Sequence, residues 1–124
     1  MSVAILRRGD HLIASVQSDL SDSEILALRD EVAERVGRER VRGVIVDVTA
    51  LDVIDSFVAR SLQRLAAVAR LRGAETVVVG IQPDVAIAIV QFNLDLDSLR
   101  TALDLDEAQG VLDRSSHRGD VDGR

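Results

Sequence analysis

A chain of 124 residues and 13.4 kDa, 47% hydrophobic and 29% charged, has the size of one domain with its own core, and its composition excludes a wholly disordered protein. Fifteen basic against 21 acidic residues leave a net charge of -6 and a pI near 4.8, which repels nucleic-acid backbones. The absence of Trp and Tyr removes the platforms on which single-stranded bases stack, and the absence of Cys excludes disulfides, thiolate nucleophiles and thiolate metal sites.

Val3 to Leu6, the polar Arg7-Arg8-Gly9-Asp10 and the run Leu12 to Val16 predict two strands joined by a tight connection. Ser21-Asp22-Ser23-Glu24 has the spacing of a capping box. Ile25, Leu28, Val32 and Val36 then recur at helical intervals until Gly37, where the first helix is expected to stop. Gly43-Val44-Ile45-Val46-Asp47-Val48 is apolar on both faces and too short for a helix, the pattern of a buried central strand. After a loop from Thr49 to Asp55, residues Ser56 to Leu71 place Val58, Leu62, Leu65 and Ala69 on one face of a second helix, closed by Gly73.

Thr76-Val77-Val78-Val79 predicts another buried strand, and Gly80-Ile81-Gln82-Pro83 a turn that puts Pro83 first in a third helix ending near Phe92-Asn93. Arg100 to Leu103 reads as a brief strand. Asp104-Leu105-Asp106-Glu107 caps a last helix through Leu112. Strands alternating with helices after an opening hairpin predict an α/β fold with a mixed sheet and right-handed crossovers. One domain is expected over residues 1–114 and a disordered tail over 115–124. The loops from Thr49 to Asp55 and Gly80 to Pro83, each following a strand, should lie side by side and mark the functional end of the sheet.

Arg7 and Arg8 follow the N-terminal apolar stretch, the reverse of a secretion signal, and the longest apolar-rich stretch, Val85 to Val90, is far short of the roughly 20 residues that a bilayer span needs. A cytoplasmic protein with no membrane contact is expected. All 15 basic residues are Arg, so Walker-type loops, Schiff bases and the receiver-domain lysine are excluded.

The conspicuous segment is Asp47-Val48-Thr49-Ala50-Leu51-Asp52-Val53-Ile54-Asp55-Ser56-Phe57, in which Ser56 opens a helix after a carboxylate-rich loop. Its hydroxyl can serve as an N-cap, or it can carry a regulatory phosphate that the helix dipole favours and Asp52 and Asp55 oppose. Asp47, Asp52 and Asp55 could hold a hard cation, but with no lysine to complete a receiver site, solvated loop carboxylates are the better reading. His11 and His117 show no ligand spacing, and Gly-x-Ser-x-Gly is missing. Asp95, Asp97, Asp104 and Asp106 lack the glycine and glutamate of a calcium loop and read as caps and solvated faces. Neither a metal nor a cofactor is expected.

The order of elements, with Ile45-Val46-Asp47-Val48-Thr49, Val53-Ile54-Asp55-Ser56-Phe57, Gly80-Ile81-Gln82-Pro83 and Thr101-Ala102-Leu103-Asp104-Leu105, resembles a STAS domain of the anti-sigma-factor antagonist family, in its RsbS-type stressosome branch. The resemblance covers about residues 3 to 113. It implies a non-enzymatic scaffold of the stress response that sequesters an RsbT-type serine kinase alongside RsbR-type STAS paralogues. In this partner switch Ser56 matches the phosphorylated serine, and a serine phosphatase resets it. Asp55 and Phe57 would flank the switch as recognition positions, with Asp47, Asp52, Gly80, Gln82 and Pro83 framing the same surface. Phe57-Val58-Ala59 replaces the serine and glycine that follow the phosphoserine in many stand-alone antagonists, which favours the RsbS type. RsbR-like proteins carry a sensory segment before the first strand, so an RsbR-like protein is not expected here. The alternative is a simpler RsbV- or SpoIIAA-like antagonist that binds an anti-sigma kinase directly. Pairing with a second copy stays open.

Overall fold

A computed structural model describes residues 3–17, 20–92 and 99–122. Its elements are β1 (Val3–Arg8), β2 (His11–Val16), α1 (Asp22–Glu39), β3 (Gly43–Asp47), α2 (Ser56–Leu71), β4 (Glu75–Val79), α3 (Pro83–Gln91), β5 (Arg100–Ala102) and α4 (Leu105–Asp122). The five strands form one sheet in chain order, with β1 antiparallel to β2 and all later pairs parallel. This is the expected mixed sheet, and β3 lies at its centre, as its buried apolar run predicts. The opening turn is only Gly9-Asp10, with Gly9 at φ 60°, as a two-residue hairpin with glycine at its first position requires.

Alternation along the strands separates two layers. Leu12, Ala14 and Val16 of β2, Val44 and Val46 of β3 and Val78 of β4 point to one face, which α1 and α2 cover with Ile25, Leu28, Val32, Leu62, Leu65 and Ala69. Ile13, Ile45, Val77, Val79 and Ala102 point to the other, which α4 covers with Ala108 and Leu112. Gly43 lets α4 come close, because a Cβ there would press on Leu112 and the His11 ring. The buried His11 binds across the layer to Gln109, Nδ1 to Nε2 at 2.9 Å.

Helix ends show where side chains overrule simple signals. Ser21 and Glu24 form the expected reciprocal box: Glu24 N donates to Ser21 Oγ at 3.2 Å and Ser21 N to Glu24 Oε1 at 3.0 Å. Gly37 does not stop α1. The helix continues to Glu39 and ends on Arg40 in the left-handed region at φ 54°, while the absent side chain of Gly37 makes room for the Arg72 guanidinium. The last helix also runs past Leu112, to Asp122, with no proline to interrupt it. Helical backbone therefore enters the segment expected to be a tail.

Arg35 ties α1 to the outer strand, donating to Glu39 Oε2 at 2.6 Å and to the Ile5 carbonyl at 3.2 Å. The hydrogen bond and charge of Glu39 raise the Arg35 pKa, and the same bond lowers that of Glu39. No helix among the described residues is long and apolar enough to cross a membrane.

Candidate functional site

β3 and β4 run parallel, so the loops leaving them emerge at the same end of the sheet. At the first of these exits Asp47 folds the chain back. Its Oδ1 accepts from Thr49 N at 2.9 Å and from Thr49 Oγ1 at 2.6 Å, an aspartate turn that fixes the loop's departure. At the second, Gly80 sits at φ 80° directly beneath Thr49, where a Cβ would collide with the threonine side chain. Gln82 then donates from Nε2 to the Thr49 carbonyl at 2.7 Å, and Pro83 opens α3 one residue later. Asp47, Gly80 and Gln82 thus converge on Thr49, and the two loops are adjacent as the strand order predicts.

From Thr49 the loop dips and rises. Leu51 and Ile54 are buried, whereas Asp52, Val53 and Asp55 face solvent. The cap of α2 is Asp55, whose Oδ1 accepts from Val58 N at 2.8 Å. This corrects the capping role considered for Ser56: an aspartate one residue earlier takes the N-cap, and Ser56 becomes the first residue of the helix proper. The partly exposed Ser56 hydroxyl consequently makes no hydrogen bond to a described residue. Phe57 turns inward and packs half-buried against the larger core.

The site therefore has two parts. Asp52, Asp55 and Ser56 present an acidic rim around one unengaged hydroxyl at a helix N-terminus, while Asp47, Gly80 and Gln82 form the brace behind it. Pro83 is exposed on the neighbouring helix. Sequence reasoning passed over Val53, which is 78% exposed between the two loop carboxylates and gives the rim an apolar tip. Only the fold of the loop turns it outward.

Beneath the rim the packing is tight. A small cavity of about 30 Å³ there is walled by apolar side chains such as Ile54, Ala59, Leu62 and Ile81. Among the described residues no group of three or more His, Asp or Glu is placed to hold a metal ion. Asp104 caps α4, its Oδ1 accepting from Glu107 N at 2.9 Å. Asp95 and Asp97, like Asn93 at the expected end of α3, lie outside the described residues.

A mixed five-stranded sheet with helices on both faces, and an acidic rim and free serine at the carboxyl ends of its parallel strands, defines an α/β domain whose distinctive chemistry lies on a surface. The chain belongs to the STAS domain family, whose model matches residues 2–108. It is similar to a serine-to-glutamate variant of RsbS from Moorella thermoacetica, at 30% identity and a TM-score of 0.83, covering 94% of this chain and 99% of that one. A chain of the stressosome, described as a signal integration and transduction hub, matches at 31% identity and a TM-score of 0.79, over 91% of this chain and 98% of that one. Among curated proteins, the RsbT co-antagonist RsbRA of Bacillus subtilis is 30% identical over 74 residues, 60% of this chain. The matches span 27% of the length of RsbRA and 28% of that of RsbRD, a second co-antagonist of the same organism. The chain is thus a STAS domain related to RsbS and other stressosome components.

Proposed function

We propose that this protein is an RsbS-like scaffold of a stressosome, and that it holds an RsbT-type serine kinase until Ser56 is phosphorylated. The observation that carries this reading is the match to RsbS, which spans nearly the whole of both chains. The local chemistry supports it. Asp55 caps the helix, so Ser56 is free to react without costing the fold a hydrogen bond. A phosphate would add about -1.5 to -2 charge to a rim that already holds Asp52 and Asp55. A kinase docked there would meet like-charge repulsion and a dianion to desolvate, which weakens binding with no change of fold. RsbR-type STAS paralogues complete the assembly, a serine phosphatase resets the switch, and the chain itself is not an enzyme.

The test is intact-mass analysis after incubation with ATP and an RsbT-type kinase. One added phosphate, lost in Ser56→Ala, is expected, together with weaker kinase binding by Ser56→Asp and retained binding by Ser56→Ala. Equal kinase affinity of both variants would sink the mechanism. The simpler antagonist reading predicts only small separate species when the chain is sedimented with an RsbR-type partner, whereas the scaffold reading predicts a particle of megadalton order.

A further inference from the structure

Ser56, Arg60 and Arg64 follow one another at four-residue steps along α2, on the side opposite the buried Ala59, Leu62, Ala66 and Ala69. Both arginines are exposed, and neither has a hydrogen-bond or ion-pair partner among the described residues. The contrast with α1 is informative. There Glu34 precedes Arg38 by four residues and binds it at 2.8 Å, and Glu31 precedes Arg35 in the same way at 3.9 Å. Acid before base at this spacing is the favourable order on a helix. Helix α2 has no acidic residue anywhere, in a chain with net charge -6, and the position four residues before Arg60 is Ser56.

We propose that Arg60 is the counter-ion of a phosphate on Ser56, so that the modification creates on α2 the acid-before-base pair that α1 has in Glu34 and Arg38. The inference rests on Ser56 as the modified residue and adds how the phosphate is held. Phosphorylation then changes the surface twice, replacing a hydroxyl with a dianion and withdrawing the exposed Arg60 from any partner. The charges at this end of the fold act in opposition. Asp47 at the end of β3, Asp52 and Asp55 of the loop and Asp84 of α3 disfavour the dianion, while Arg60, Arg64 and the helix N-terminus favour it.

The experiment installs phosphoserine at position 56 during translation, which needs no kinase, and follows its second ionisation by phosphorus NMR against pH. The midpoint is expected to be a few tenths of a pH unit lower in the otherwise unaltered protein than with Arg60→Gln. Arg60→Lys should restore most of the shift, Arg64→Gln should move the midpoint much less, and high salt should erase the difference. Circular dichroism confirms that each variant retains its helices. Equal midpoints with and without Arg60, or a larger effect from Arg64, would overturn the proposal. Because the phosphate is installed directly, this result is independent of whether a kinase modifies Ser56, which the intact-mass experiment decides separately.

Discussion

Gln82 Nε2 and the Thr49 carbonyl, 33 residues apart in the chain, are joined by a 2.7 Å hydrogen bond that clamps the start of α3 to the loop after β3. Gln82→Ala removes the only donor that this side chain offers to Thr49 while leaving the backbone cap intact. Chemical denaturation should show a loss of about 0.5–1 kcal/mol, the modest net value of a partly solvated bond. Amides of Thr49 to Asp55 should exchange faster in the variant; unchanged exchange there would mean the clamp does not hold the loop.

Asp55 and Ser56 are adjacent and both belong to residue types that cap helices, yet only Asp55 receives the Val58 amide. Asp55→Ala should cost about 0.5–2 kcal/mol of stability, and Ser56→Ala should stay within about 0.5 kcal/mol of the parent. Urea titrations of the two single variants decide it. A reversed order would return the capping role to Ser56.

Gly80 combines a left-handed backbone with a neighbour that leaves no space, since an added Cβ would lie 3.2 Å from the Thr49 Cα even if the threonine side chain moved. Gly80→Ala should therefore destabilise by more than about 1 kcal/mol. Thr49→Ala should recover only part of this loss, because it removes the Oγ1 contact but keeps the Thr49 Cβ 3.0 Å away and leaves φ strained. Full recovery in the double variant would show that space, and not backbone conformation, selects glycine.

The Arg35–Glu39 pair supplies a pH signature. Its hydrogen bond holds the Glu39 carboxyl below the ordinary value of 4.5, so its stabilising contribution is present above that pH and is lost as the pH falls through the lowered value. Glu39→Gln should therefore be less stable than the parent near neutrality, and the gap should narrow on acidification below 4.5. Thermal melts across that range provide the check. A gap independent of pH would mean the carboxylate charge contributes nothing.

Signals confined to one turn were legible in the sequence. The Ser21–Glu24 box, Pro83 at the start of α3 and the β-branched run Val44-Ile45-Val46 of β3 announce themselves through types and spacings that have few other uses. Strand order supplied the meeting of Thr49 with Gly80 and Gln82, because parallel neighbours release their loops at one end. What escaped depends on choices between near-equals or on distant partners. Asp55 against Ser56 is settled by which backbone amide comes within reach. Gly37 resembles a stop signal until the Arg72 guanidinium is seen beside it. Arg35 reaches the Ile5 carbonyl across 30 residues, with no local pattern to announce it. Val53 turns outward because its neighbours Leu51 and Ile54 turn in.

The unequal covering of the sheet grades how the molecule opens. Helices α1 and α2 brace each other over one face, whereas α4 lies alone on the other, anchored by Ala108, Leu112 and the Gln109–His11 contact. Lifting α4 breaks one small layer and spares the larger one, so the cheapest excursion from the native state is a partial unfolding that begins there. Its amides and those of the three-residue β5 should lose hydrogen-exchange protection first, and β3 should surrender its own last. The rim that carries Ser56 hangs from β3 through Asp47, so it keeps its shape while the far side of the sheet breathes.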